Sequence, residues 1–209
     1  MFKYQARSGL LHSSDVGCIP AEFIRNYEDF KPRSGQLPLT NEEFEILRKL
    51  HKASEDGYEY GVVIVDGVVS DMFTSSERDA VKIPNALLIQ MSNAPTKSVH
   101  LLHCHTNSTP HSAMDFKWLL RREIARVTVI ACTGDVYTVE VGDDGDVPCH
   151  TEFVNVTHSK AIEAEVAVTN LQGFENWTKN ERDYVAIREK TYLIARHYKW
   201  TLEGGYLYE

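Results

Sequence analysis

Apolar positions in this chain recur first at helical and then at strand spacing. Phe44, Leu47 and Leu50 fall three apart after Thr40-Asn41-Glu42-Glu43, which has the spacing of a capping box, so an amphipathic helix is predicted over 41–54. From Tyr58 to Val65 the chain turns β-branched and aromatic, Asp66-Gly67 is a two-residue turn signal, and Val68-Val69 starts the return of a hairpin. Residues 70–96 form a mixed connection with polar Thr74 to Asp79, Pro84 and Pro95, and a strand or short helix at Ala86 to Met91. Val99 to His103 is a strand buried on at least one face. Residues 113–123 read as a helix with Phe116, Leu119 and Leu120 inward, and Val127 to Cys132 and Val136 to Val141 as two strands joined by Thr-Gly-Asp. Beyond Cys149 a short helix is expected over 159–167 and a longer one over 179–198, whose stripe is Tyr184, Ile187, Ile194 and Tyr198.

Helices around a mixed, mainly antiparallel sheet give an α+β fold, arranged as an α/β/α sandwich. Gly9, Gly17, Pro20, Pro32, Gly35 and Pro38 suit an extended lead-in over 1–38 with at most one short helix near 20–27. The expected core is 39–150, and 151–209 a helical extension packed on it. The late aromatic residues Trp177, Tyr184, Tyr192, Tyr198 and Trp200 suit packing against the sheet or an interface.

Composition narrows the function classes. The 209 residues are 43% hydrophobic and 25% charged, as in a globular protein, and the net charge of -8 with no basic run argues against nucleic acid as a partner. No run is long enough to span a bilayer and the N-terminus has no apolar signal region, so no membrane partner and a soluble, cytoplasmic protein are expected. Cys18, Cys104, Cys132 and Cys149 are scattered without a Cys-x-x-Cys pair, and are expected to be reduced core thiols.

Candidate chemistry concentrates between positions 101 and 115. His103 and His105, two apart on a strand, present both rings on one face, and Asp115 follows at the start of a helix. Two imidazoles and a carboxylate make a three-ligand zinc site with an open position. Cys104, between the histidines, should point the other way into the core. Ser112 and Asp115 also have the spacing of a helix cap, which by itself accounts for both side chains without catalysis.

His-x-His followed by Ser-x-x-Asp resembles the signature of the JAMM/MPN zinc metalloprotease family. The resemblance spans roughly 41–142. It implies the cytidine-deaminase-like sandwich of that family, one Zn2+ per chain on His103, His105 and Asp115, a catalytic Glu59 in Glu59-Tyr60-Gly61-Val62, and Ser112 as the hydrogen-bond donor to the tetrahedral intermediate. Thr106 to His111 gives six residues between the second histidine and the serine, one fewer than is usual, and Thr106 stands where a proline is common. Thr109-Pro110-His111-Ser112 is slightly similar to the RadC-like branch.

The reaction so implied is hydrolysis of a peptide or isopeptide bond, with a protein or peptide substrate that could carry a ubiquitin-like modifier. A carboxylate beside a metal-bound water can take its proton and pass it to the leaving amine; Glu55, Asp56 and Asp71 are rivals to Glu59, but sit in turns. Met72, Phe73 and Met91 are candidate apolar contacts for an extended substrate tail, or core. His111 is expected as a solvated turn histidine, with a fourth metal ligand or a substrate contact as alternatives. Two other classes stay open. One is a non-catalytic MPN-like scaffold; the other is a PHP-type phosphoesterase, similar at His103-Cys104-His105-Thr106, which needs two or three metals.

Overall fold

The structure, a computed structural model, describes residues 16–28, 37–78 and 80–207. The rest of the expected lead-in and Asp79 lie outside the described residues. The elements are α1 (Ala21–Glu28), α2 (Asn41–Ala53), β1 (Tyr60–Val65), β2 (Val68–Val69), β3 (Phe73–Thr74), α3 (Asn85–Ser92), β4 (Val99–Cys104), α4 (Ala113–Trp118), β5 (Ile124–Ile130), β6 (Asp135–Glu140), α5 (His150–Thr169), α6 (Lys179–His197) and β7 (Thr201–Tyr206). The sheet runs β2-β1-β4-β5-β6-β7, with β3 also on β1. Among the described residues only the β4–β5 pair is parallel. The fold is therefore α+β, with a mixed, mostly antiparallel seven-stranded sheet flanked by helices. Among the described residues no helix is long and apolar enough to cross a membrane.

Period-two alternation sorts the side chains of β4 between two cores. Leu102 and Cys104 join Ile46, Leu47, Leu50 and Val62 under α2. Val99 and Leu101 join Phe116, Leu119, Val127, Phe153, Ile194 and Trp200 under α4, α5 and α6. A third cluster packs Val16, Ile19 and Ile24 of the lead-in against Tyr184, Val185 and Ile187 of α6.

Local chemistry sets the element ends. Thr40 and Glu43 form the reciprocal capping box at the head of α2. Asp66 and Gly67 take positive φ (49° and 77°), as the two-residue hairpin turn requires. Glu43 does more than cap: its Oε1 lies 2.7 Å from His100 Nδ1, while His100 Nε2 lies 2.8 Å from the Thr128 hydroxyl, which reaches Thr138 at 2.9 Å. Burial holds the His100 pKa down. Burial also opposes a charge on Glu43, yet the His100 hydrogen bond, the Thr40 N–H and nearby Arg126 outweigh it and bring the carboxyl down to about 2. The pair is thus a carboxylate accepting from a neutral imidazole, and it fastens α2 to the sheet.

Several elements differ from expectation. The helix after the motif stops at Trp118 rather than 123, and Leu119 is buried from the turn that follows. The short helix expected over 159–167 is the 20-residue α5. β7 pairs antiparallel with β6 along its length, so the sheet also draws on the C-terminal stretch. Cys18 and Cys132 are not free thiols but a disulfide, with Cα atoms 6.6 Å apart and a sequence separation of 114. Cys104 is the expected buried free thiol, and Cys149 is free but exposed.

Candidate metal centre

The centre forms at the carboxyl end of β4, where the chain leaves the sheet and crosses through α4 to the parallel strand β5. The His105 N–H donates to the Ile130 carbonyl at 2.8 Å, extending the strand geometry one residue beyond Cys104. His105 therefore falls on the same face as His103, two residues back. The Asn107 side-chain oxygen then accepts from the Thr109 N–H at 2.9 Å and tightens the turn. Ser112 caps α4: its hydroxyl accepts the Asp115 N–H at 3.3 Å, and its own N–H donates to Asp115 Oδ2 at 2.5 Å. The capping box and the ligand geometry are thus one arrangement, since the cap aims the Asp115 carboxylate at the histidines.

Three ligand atoms converge. His103 Nε2 lies 3.1 Å from His105 Nε2 and 3.0 Å from Asp115 Oδ1, and His105 Nε2 lies 3.4 Å from Asp115 Oδ2. Bond lengths of 2.0–2.1 Å in a tetrahedron imply ligand separations of roughly 3.3 Å, which these distances approach. His105 Nδ1 is 3.0 Å from the Thr109 carbonyl, which can only accept, so this nitrogen carries the proton and the Nε2 lone pair faces inward. The buried Asp115 carboxylate needs positive charge beside it, supplied by a proton on the imidazoles or by a metal ion that takes the proton's place. The residues present can hold a metal ion.

Electrostatics agree. Burial opposes a charge on Asp115, but His103 and His105 override it and hold the carboxyl well below its ordinary value. Burial likewise opposes a charge on His105, yet Asp115, Glu59 and the Thr109 carbonyl raise it to about 9. The field here favours positive charge.

Glu59 precedes β1 and is only 7% exposed, unlike an ordinary solvated strand edge. Its rivals Glu55, Asp56 and Asp71 are exposed. Glu59, Ser112, His103, His105 and Asp115 all line one cavity of about 810 Å³. The cap role uses Ser112 as an acceptor, which leaves its O–H free to donate. Phe73, Leu101, Trp118, Phe153 and Ile187 supply apolar walls, so α5 and α6 help to enclose the centre.

Other expectations change. His111 is not a solvated turn residue: it is fully buried, its Nε2 donates to the Val127 carbonyl at 2.9 Å, and burial lowers its pKa to about 4. It is absent from the cavity lining. Of the three proposed tail contacts only Phe73 reaches the cavity; Met91 is buried core and Met72 is exposed. Tyr184, Tyr198 and Trp200 are core, Trp177 packs edge-on against Phe23 and Tyr27, and Tyr192 is partly exposed. Thr157 and Lys190, which also line the cavity, carried no sequence signal, because Thr and Lys on helices ordinarily face water. Comparison with protein-family models, curated proteins and solved structures gave no match.

Proposed function

We propose that this chain is a zinc-dependent hydrolase of peptide or isopeptide bonds, working on the JAMM plan. The observation that carries the reading is the convergence of His103, His105 and Asp115, with ligand atoms within 4.8 Å of one another, in a cavity that Glu59 also lines. Zinc on those three ligands would acidify a water and polarise the substrate carbonyl. Glu59 is the base that accepts the water's proton and returns it to the leaving nitrogen, and its burial in the cavity that His103, His105 and Asp115 also line suits that exchange. Ser112 donates its free O–H to the developing oxyanion. Thr109 holds the His105 tautomer.

Among the described residues one cluster of this kind is present, which supports a single-metal amidase over a phosphoesterase needing two or three ions. A buried carboxylate in the same cavity as the three candidate ligands supports catalysis over a passive scaffold. The test is metal analysis of the purified chain beside H103A/H105A and D115A, with hydrolysis of isopeptide-linked and peptide substrates. One zinc per wild-type chain, none in the variants, and turnover lost in E59Q with zinc retained is the expected pattern. A wild-type chain without bound zinc sinks the reading.

A further inference from the structure

A covalent tie runs beside the loop that leaves β4 after His105. Cys18, just ahead of α1, is exposed, and its disulfide partner Cys132, just beyond β5, is half-buried. Around this bond three successive loop residues are held. Cys18 Sγ lies 3.5 Å from the Thr106 carbonyl oxygen, and the Cys132 N–H donates to the Asn107 carbonyl at 3.0 Å. The buried Ser108 hydroxyl oxygen accepts from the Ile19 N–H at 2.8 Å and lies 3.5 Å from Cys132 Sγ. From there the contacts run on to the centre. Asn107 Oδ1 accepts from both the N–H and the hydroxyl of Thr109, at 2.9 and 2.5 Å, and the Thr109 carbonyl accepts from His105 Nδ1 at 3.0 Å. His105 presents its Nε2 lone pair to the site only while that carbonyl stays in place. A cross-link between residues so far apart in sequence restricts the chain strongly. Val16, Ile19 and Ile24 also pack on α6, so the lead-in stays docked when the cross-link opens, and what loosens is the loop.

Resting on the zinc ligation of the hydrolase reading above, we propose that the Cys18–Cys132 disulfide is a redox latch on the metal centre: closed, it holds residues 106–109 so that His105 is set for zinc, and opened by a dithiol it releases them and weakens zinc binding. The thiolate of the dithiol attacks exposed Cys18 Sγ, the S–S bond breaks, and Cys132 leaves as a thiolate that takes up a proton. The second thiolate of the dithiol then displaces Cys18 from the mixed disulfide. Two electrons pass to the cysteines, which end as thiols, and the dithiol leaves as its own disulfide. A bond that solvent reaches is open to this exchange, whereas one sealed in the core resists it.

The test compares oxidised wild type, wild type reduced with dithiothreitol and desalted without air, and C18S/C132S. Thiol counting on the denatured chain should give two free thiols before reduction, Cys104 and Cys149, and four after. Zinc affinity is measured by competition with a fluorescent chelator, hydrogen exchange of the 105–109 amides is followed in the zinc-free protein, and thermal melts confirm folding. Reduction should weaken zinc binding tenfold or more and speed exchange of the loop amides by a similar factor. C18S/C132S should match reduced wild type and ignore dithiothreitol; if it does not fold, the two wild-type states still decide. Four thiols before reduction, equal zinc affinity in both states, loop exchange that reduction leaves unchanged, or a double variant that binds zinc like oxidised wild type overturns the proposal. Turnover with zinc affinity indifferent to redox state removes the latch and leaves the hydrolase reading standing. Redox-dependent affinity without turnover does the reverse, and a chain that binds zinc in neither state ends both.

Discussion

Gly61 and His103 stand directly opposite each other across the β1–β4 ladder. Continued two residues outward on each strand, that register puts Glu59 on the side of His105, and Glu59, His103 and His105 all line the one cavity. On its other side Gly61 pairs with Phe73 of β3, whose ring closes over it. A Cβ at position 61 would lie 2.8 Å from that ring. G61A should therefore push Phe73 into the cavity and cost about 1–3 kcal/mol as overpacking. Urea melts of G61A and of the double variant G61A/F73L check this, since the smaller side chain should recover much of the loss; an unchanged midpoint in G61A counts against the packing account.

Ser112 is assigned two tasks, and they separate by substitution. S112A removes the cap of α4, expected to cost about 1 kcal/mol of stability, and removes the oxyanion donor, expected to cost on the order of 3 kcal/mol in activation energy. S112D keeps a capping oxygen but places an anion where a donor is needed. It should melt near wild type and yet lose turnover. If S112A lowers stability and leaves turnover intact, the serine is only a cap.

Much of this arrangement is legible in the residues because local and tertiary preferences coincide there. Thr40 and Glu43 declare a helix start, Asp66-Gly67 a hairpin, and the alternation of His103, Cys104 and His105 puts the thiol under α2 and the rings in the cavity. Where the two preferences part, the pattern misleads. The buried side of α5 is Phe153, Thr157, Ala164 and Val168, of which two are small or polar, while Val154, Ile162 and Val166 are exposed, so no apolar stripe marks the helix. β7 is an edge strand, Thr-Leu-Glu-Gly-Gly-Tyr, with too few apolar positions to alternate. The Cys18–Cys132 link and the cavity wall at Lys190 depend on contacts made by segments remote in sequence, which periodicity does not encode.

Acid should unfasten α2 from the sheet. The Glu43 carboxyl titrates at about 2 in the folded protein against an ordinary 4.5. A depressed folded value means that its stabilisation is complete above pH 4.5 and is lost as pH falls through about 2. The shift corresponds to at most roughly 3 kcal/mol. Unfolding midpoints followed from pH 6 to pH 2 should fall more steeply in wild type than in E43Q, which starts lower because His100 has lost its carboxylate acceptor. Parallel curves would remove Glu43 from this role.

Zinc should stabilise the fold, and the effect should require Asp115. A ligand that binds only the native state adds about 2.7 kcal/mol at a hundred times its Kd, whatever its contribution to chemistry. In wild type, zinc should raise the melting temperature and a chelator should lower it. D115N keeps an oxygen near His103 and His105, but its amide is uncharged and its NH2 can turn toward the imidazoles. Loss of the buried carboxylate should itself destabilise the metal-free protein, on the order of 3–5 kcal/mol where a buried charge pair is broken. The decisive quantity is consequently the zinc-dependent shift within each variant and not the absolute midpoint. That shift should vanish in D115N and in H103A/H105A. An equal shift in all three would mean that zinc binds elsewhere on the chain, and that the three buried groups are joined by a shared proton alone.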